Sequence, residues 1–185
     1  MDILEIKNVA YSYANSKEKV LSGVNQKFEL GKFYAIVGKS GTGKSTLLSL
    51  LAGLDKPKTG KILFKNEDIQ KKGYSNHRKN NISLVFQNYN LIESLRIKDN
   101  ILFSLRINNI DPKIQQERLN QLTKQLNIEE ILDKYPLQCS GGQQQRAAIA
   151  RALIMKPKII FADEPTGNLD CENAKELMEL FKKIN

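Results

Sequence analysis

Cysteine and long apolar runs are the first things that this sequence lacks. Only two cysteines occur in 185 residues, Cys139 and Cys171, and they form neither a C-x-x-C pair nor a spacing typical of zinc sites. No apolar run approaches the roughly 18 residues that a membrane-spanning helix needs. The first residues also lack the basic start and apolar body of a signal peptide. We therefore predict free thiols, a cytoplasmic location and no membrane span of its own.

Histidine is also scarce, because His77 is the only one. It lies in residues 71–81, a polar stretch rich in turn-forming residues, where no neighbour in sequence could orient an imidazole for proton transfer. We expect a surface connection here, with a solvated and non-catalytic His77.

Positive side chains, in contrast, are abundant. The sequence has 29 Lys and Arg and 20 Asp and Glu, which gives a formal net charge of +9. A basic surface can serve nucleic acid, an anionic membrane face or a nucleotide. The lysines are spread through turns and strand ends, without the interleaved aromatic residues that base stacking uses. We interpret the charge as a solvated surface of a soluble protein and expect no direct binding of nucleic acid.

Residues 38–46 fit the phosphate-binding pattern G-x-x-x-x-G-K-[ST] at every fixed position. Apolar residues 33–37 precede it and predict a strand buried on both faces of a parallel sheet, and residues 47–52 predict a helix after it. Within such a loop, Lys44 suits the β- and γ-phosphates and the Ser45 hydroxyl suits Mg²⁺. The predicted nucleotide-binding residues are Gly38, Lys39, Ser40, Gly41, Thr42, Gly43, Lys44, Ser45 and Thr46.

Two further apolar segments predict buried strands that end in polar residues. Residues 82–86 end at Gln87, and residues 158–162 end at Asp163 and Glu164. Ligands of open α/β sheets bind at the carboxyl ends of the parallel strands, so the carboxylate pair is a candidate for nucleotide chemistry.

The other elements follow from hydrophobic periodicity. Residues 3–13, 20–30 and 61–64 predict strands, and the pattern becomes helical from residue 88 to about residue 156. Individual helices are predicted at residues 112–126, 128–135, 143–155 and 172–184.

In this order the motifs resemble the ATP-binding cassette of ABC transporters over essentially the whole chain. Residues 38–46 match the Walker A loop, residues 159–164 match the Walker B strand with its following glutamate, and Gln87 matches the Q-loop. Residues 140–146 match the signature loop, which is diagnostic of this family among nucleotide-binding proteins, and residues 167–170 fit the D-loop.

The resemblance implies a fold and a domain plan. The fold would be α/β, a P-loop NTPase core with a mainly parallel sheet, an N-terminal antiparallel β subdomain and a helical insertion. One incomplete ATP-binding domain would span residues 1–185, with residues 1–87 plus 157–185 as the nucleotide-binding core and residues 88–156 as the helical signature subdomain.

It also implies a Mg²⁺-dependent ATP hydrolase. Tyr13 would stack on adenine, with Tyr11 as the other candidate, and Glu164 would orient or deprotonate the attacking water. The implied catalytic residues are Lys44, Gln87 and Glu164, and the implied Mg²⁺ ligands are Ser45, Gln87 and Asp163. Further implied ATP contacts are Ser140, Gly141, Gly142, Gln143 and Asp170, the signature residues acting on a second subunit.

Two partners are implied. A second cassette, identical or related, would sandwich two ATP molecules in a head-to-tail dimer. Residues 88–105 would meet a membrane-spanning permease, which would hold the chain at the inner face of the cell membrane while the cassettes power transport. Residues 138–146 and 163–170 look like the branch that serves lipoprotein release and the export of macrolides and antimicrobial peptides.

Two departures from the family pattern qualify this picture. Cys139 replaces the usual leucine before the signature serine, and the sequence ends at Asn185, before the strand that carries the family's switch histidine. Without that strand, two inner strands are expected to lack ladder partners, and stability and turnover are expected to be low. The alternatives are therefore a nucleotide-binding remnant with little turnover and a nucleic-acid-associated ATPase of the same fold.

Overall fold

The N-terminal segment forms the predicted strand and organises an antiparallel sheet. In a computed structural model, which describes residues 1–14, 18–167 and 169–184, β1 is Asp2–Tyr11. It pairs with β2, Leu21–Glu29, on one side and with β3, Thr59–Phe64, on the other. The short β4, Glu67–Asp68, completes the order β2-β1-β3-β4. The buried residues of β1 are Ile3, Leu4, Ile6, Val9 and Tyr11, so strict alternation is interrupted where the pairing with β2 shifts register.

This sheet belongs to a first compact unit, Met1–Asn81, which also contains the end of the last helix from Leu180. Three helices accompany the sheet. They are α1, Lys44–Leu51; α2, Ile69–Lys72; and α3, Tyr74–Asn80. Asp68 caps α2, because its carboxylate accepts a hydrogen bond from the Gln70 N–H at 2.9 Å.

The prediction of a surface connection with a solvated His77 is wrong. Residues 71–81 are mostly helical, and His77 is 1% exposed. Its Nε2 lies 3.1 Å from the Leu51 carbonyl oxygen, and its ring meets the Phe64 ring at a centroid distance of 5.5 Å. The polar sequence around His77 gives no sign of this burial, because the partners come from α1 and β3, far away in the chain.

The predicted strand over residues 33–37 is also wrong. This segment forms no regular element, and Val37 is 87% exposed. A strand exists only when its N–H and C=O groups have ladder partners, and within the described parts of the chain none pairs with residues 33–37. Apolar composition is therefore insufficient to make this segment a strand.

The second unit, Ile82–Glu179, contains the parallel part of the fold. Strand β5, Ile82–Phe86, pairs in parallel with β6, Ile159–Asp163, in register from Ile82 opposite Ile159 to Phe86 opposite Asp163. Both strands were predicted from their apolar runs, and together with the antiparallel sheet they match the predicted α/β class.

Four helices belong wholly or mainly to this unit. They are α4, Ile97–Ile107; α5, Pro112–Gln125; α6, Gly141–Leu153; and α7, Cys171–Ile184. Asp111 caps α5 through a 2.8 Å bond from the Lys113 N–H, as the Asp-Pro signal predicts. The helix predicted at residues 128–135 is instead a 3₁₀ turn, Glu129–Ile131, followed by a second, Pro136–Gln138. Pro136 disfavours helical backbone at Tyr135, which is extended with φ −87° and ψ 156°, so no helix runs up to Pro136.

Both cysteines are free, as predicted. Cys139 is buried, and burial raises the pKa of its thiol, which fits a packing role. Among the described residues, no helix is long and apolar enough to cross a membrane. The predicted subdomain limits, residues 1–87 plus 157–185 and residues 88–156, stay a prediction.

Candidate functional site

The phosphate loop leads directly into α1 with the backbone geometry that glycine permits. Gly41 and Gly43 have φ values of +80° and +91°, a region that other residues rarely adopt. A Cβ at Gly43 would also lie 2.9 Å from Val20 Cγ1. Gly43 caps α1, and its carbonyl accepts the Leu47 N–H at 2.8 Å. Glycine at this position is therefore required both by the turn and by packing.

Lys44 closes the loop. Its ammonium donates to the carbonyl oxygens of Gly38 and Lys39, each at 3.0 Å. The Thr42 hydroxyl donates to the same Lys39 carbonyl at 2.9 Å. The predicted phosphate-binding residues thus form one closed turn at the positive end of α1, with a cation beside it.

The two candidate aromatic residues have different environments. Tyr13 is 53% exposed, and its hydroxyl lies 2.8 Å from the Thr46 hydroxyl in the first turn of α1. Tyr11 is 6% exposed, and its hydroxyl donates to the Asp55 carboxylate. That hydrogen bond is the main cause that raises the pKa of Tyr11 to about 12. The exposed ring next to the phosphate loop favours Tyr13 as the adenine contact.

The carboxyl ends of β5 and β6 bring three predicted residues to one edge of the parallel pair. Phe86 lies opposite Asp163, so Gln87 and Glu164 follow at the same end. Glu164 is exposed and has a φ of +46°. Its carbonyl accepts the Gly167 N–H at 3.0 Å, which turns the chain immediately after the strand.

Gly167 connects this turn with the Q-loop residue. A Cβ at Gly167 would lie 2.6 Å from Gln87 Nε2, so the side chain of Gln87 lies against the backbone after Glu164. The predicted D-loop continues through Leu169 to Asp170; Asn168 lies outside the described residues.

The signature helix begins two residues earlier than predicted, at Gly141 instead of near Gln143. Ser140 and Gln143 form a capping box, in which the Gln143 N–H donates to Ser140 Oγ at 3.3 Å and the Ser140 N–H donates to Gln143 Oε1 at 3.0 Å. This reciprocal pairing satisfies free donors at the helix end and lets both glycines enter the first turn. The predicted anion site at this helix end therefore has Gly141 and Gly142 inside the helix.

Asn100 is a structural residue that the sequence analysis missed. It is 0% exposed, and its side chain accepts from the Ile92 N–H at 2.7 Å and donates to the carbonyls of Ile92 and Leu95 at 3.0 and 3.1 Å. It therefore holds the loop that follows the Q-loop. An asparagine in an apolar helical pattern is the signal that could have revealed it.

Arg151 and Gln145 were missed as well. The Arg151 guanidinium, on α6, donates to the carbonyls of Asn90 and Tyr89 at 2.5 and 2.8 Å, in a turn where both residues have positive φ. Gln145, 1% exposed, donates from Nε2 to the Pro165 carbonyl at 3.0 Å. The signature helix is thus bonded both to the segment after Gln87 and to the residue after Glu164.

Comparison with known proteins shows a consistent set of similarities. Residues 21–167 match the family described as ABC transporter. The chain is 43% identical over 190 residues to the bacitracin export ATP-binding protein BceA of Halalkalibacterium halodurans, covering 100% of this chain and 75% of the relative. It is 40% identical over 190 residues to the lipoprotein-releasing system ATP-binding protein LolD of Wigglesworthia glossinidia brevipalpis, covering 100% and 83%.

A solved structure of an ATP-binding cassette is also similar to this chain. The structure of a post-hydrolysis, dimeric state of the ATP-binding cassette MJ0796, bound to ADP and Pi, superposes with a TM-score of 0.87 at 35% sequence identity. The match covers 98% of this chain and 82% of that chain. The predicted P-loop fold is confirmed by this similarity.

Proposed function

Because the chain belongs to the ABC transporter family, as an ATP-binding and ATP-hydrolysing cassette, we propose that it powers export through a separate membrane-spanning permease. The observation that carries the ATP-binding part of this proposal is the closed glycine loop at the start of α1, with the Lys44 ammonium held on its carbonyls. Triphosphate oxygens are the natural partners of such a cation and of the loop N–H groups. The similarity to transporter subunits favours this function over a nucleic-acid-associated ATPase.

We assign the chemistry to individual side chains. Lys44 binds the β- and γ-phosphates, and Glu164 orients or deprotonates the attacking water for in-line transfer of the γ-phosphate. Its exposure at a strand end suits contact with a water molecule.

The candidate Mg²⁺ ligands fit the ion chemically. Ser45, Gln87 and Asp163 offer hydroxyl, amide and carboxylate oxygens, the hard donors that Mg²⁺ prefers. Within the described residues, no group of three or more His, Cys, Asp or Glu side chains could hold a metal ion alone. This agrees with an ion that enters with the triphosphate and keeps several waters. When bound, Mg²⁺ neutralises charge on the phosphates.

We further propose that two cassettes, identical or related, pair around ATP. Ser140, Gly141, Gly142 and Gln143 of one subunit would face the nucleotide of the other, with Asp170 nearby. The helix N-terminus that these residues form is a suitable site for the γ-phosphate. The dimeric solved relative supports this arrangement.

The permease is proposed to contact residues 88–105, which places the chain at the cytoplasmic face of the membrane. Ile92 and Phe103 in this segment are 38% and 42% exposed, so apolar surface is available there. The relatives named for bacitracin export and lipoprotein release support export as the proposed direction of transport.

A Glu164→Gln variant tests both catalysis and pairing. We expect turnover to fall by a factor on the order of 10²–10³, because one preorganised catalytic group is lost. The variant should still bind Mg-ATP, and its mass by sedimentation should double at saturating Mg-ATP, because the ATP that bridges the subunits is no longer consumed. Glu117→Gln, an exposed change on α5, is the matched control and should leave turnover unchanged. A Glu164→Gln protein that stays monomeric at saturating Mg-ATP would contradict self-pairing.

A further inference from the structure

The side chain of Tyr13 is held at two points although it lies beyond the sheet. The last paired residue of β1 is Tyr11, opposite Leu21. Two residues further on, the Tyr13 hydroxyl lies 2.8 Å from the Thr46 hydroxyl. The Tyr13 ring also meets the Tyr11 ring edge to face, with a centroid distance of 5.3 Å and an interplanar angle of 87°. An exposed ring is thus fixed relative to the phosphate loop.

Tyr11 is the member of this pair that is anchored by its backbone, its ring and its hydroxyl. Its carbonyl accepts the Val20 N–H at 2.9 Å, and its ring is buried. Its hydroxyl donates to one carboxylate oxygen of Asp55, and the other oxygen accepts the Lys56 N–H at 2.7 Å. Each carboxylate oxygen of Asp55 therefore accepts a hydrogen bond, and the bond from Tyr11 connects the end of β1 with the segment that follows α1.

From these contacts we infer that Tyr11 and Asp55 are positioning residues for base recognition, because they fix the ring against which Tyr13 is oriented for stacking on adenine. This inference rests on the proposed role of Tyr13 as the adenine contact. A free, exposed tyrosine would lose side-chain freedom when it stacks on a base, and a ring held beforehand loses less. Tyr11 and Asp55 touch no part of the nucleotide in this scheme.

We expect the substitutions to weaken binding of the adenine base and to leave binding of the phosphates nearly unchanged. An edge-to-face aromatic pair typically contributes enough to change a dissociation constant about two- to tenfold. Tyr11→Ala should therefore raise the Kd for ATP by about three- to tenfold. The Kd for inorganic tripolyphosphate, which lacks the base, should change by less than about twofold, because the phosphate loop is untouched.

The experiment compares both ligands by calorimetry, in Mg²⁺, on the full chain and five variants. Tyr13→Ala defines the complete loss of the base contact. Tyr11→Phe keeps the ring and removes the hydroxyl, Asp55→Ala removes its acceptor, and Tyr11→Ala removes both functions. We expect Tyr11→Phe and Asp55→Ala each to have a smaller effect on ATP than Tyr11→Ala. Tyr74→Phe is the matched control, a partly buried tyrosine of the same unit whose ring packs against Gly53.

The outcomes separate the inference from the proposed function. If Tyr13→Ala weakens ATP but the Tyr11 and Asp55 variants do not, the inference is wrong and the role of Tyr13 stands. If Tyr13→Ala itself leaves ATP binding unchanged, the proposed adenine contact is wrong and the inference falls with it. If Tyr11→Ala weakens ATP and tripolyphosphate equally, Tyr11 only supports the fold, and the inference is overturned. A selective loss for ATP in Tyr11→Ala and Asp55→Ala supports it.

Discussion

Burial changes the role of individual residues in this chain, and His77 is the clearest case. Its imidazole is enclosed by Leu51 and Phe64, and Asn81 Nδ2 lies 3.3 Å from its Nδ1. Desolvation lowers the pKa of His77 below its ordinary value, since the charged form loses water contacts. The residue therefore acts as a neutral part of the core.

This burial predicts pH-dependent stability. The unfolded chain takes up a proton near a pKa of about 6.5, whereas the folded chain binds it only at lower pH. The contribution of His77 to stability should be complete above about pH 7 and decline as the pH falls through about 6.5 toward the lowered pKa of the folded state. Urea unfolding at about pH 7.5 and 5.5 should show a larger loss for the natural chain than for His77→Gln.

No other histidine titrates in this pH range, because His77 is the only one. The carboxylates are the same in both proteins, so their effect on the pH dependence of stability cancels in the difference. Equal pH dependence in the two proteins would show that His77 is not the group responsible.

At the scale of elements, the structure depends on side chains that hold irregular backbone. The loop from Leu91 to Arg96 has no regular structure, and Asn100 on α4 supplies its polar partners. A single buried amide therefore orders a segment within the surface proposed to meet the permease.

Asn100→Ala should destabilise this element. Removing the amide takes away the side-chain partner of backbone groups of Ile92 and Leu95, in part-buried hydrogen bonds that typically contribute about 0.5–1.5 kcal/mol each. We expect a lower free energy of unfolding and faster hydrogen exchange across residues 91–96. The control is Asn120→Ala, an exposed asparagine on α5 whose side-chain oxygen accepts a hydrogen bond from Gln116 Nε2 at 2.7 Å. Unchanged exchange in Asn100→Ala would mean that the loop is held by its own packing.

Apolar runs alone do not predict which segments become strands. Residues 82–86 and 159–163 become strands β5 and β6, because each supplies the ladder partner of the other. Residues 33–37 have the same apolar character but form no strand in the described chain. The difference is that β5 and β6 pair with each other, and the sequence of one segment alone does not show whether another strand will pair with it.

For the whole molecule, nucleotide binding should be visible as added stability. A ligand that binds only the folded chain stabilises it by about 2.7 kcal/mol at a concentration of 100 times its Kd. Mg-ATP should therefore raise the unfolding midpoint of the natural chain and have little effect on Lys44→Ala. Lys71→Ala, an exposed lysine on α2, removes the same charge and should respond like the natural chain. Equal stabilisation of the Lys44→Ala protein would place the phosphates elsewhere.

The sequence by itself determined the family, the phosphate loop and the strands that end in the side chains proposed as catalytic. These features are local, because each depends on residues that are close together in the chain. Examples are the spacing G-x-x-x-x-G-K-[ST], the short apolar runs and the Asp-Pro cap of α5. The signature residues were identified by their resemblance to the family's signature loop. Their helix starts earlier than predicted, at Gly141, where Ser140 and Gln143 form the capping box.

Only the tertiary structure decided which residues are buried and which are held by distant partners. His77 is enclosed by α1 and β3, Asn100 closes a loop, and Tyr11 is anchored on Asp55, 44 residues away. Residues 33–37 lie outside both sheets because no segment of the described chain pairs with them. Hydrogen bonds and packing between segments depend on chain positions that no local pattern encodes, so these outcomes follow from the fold.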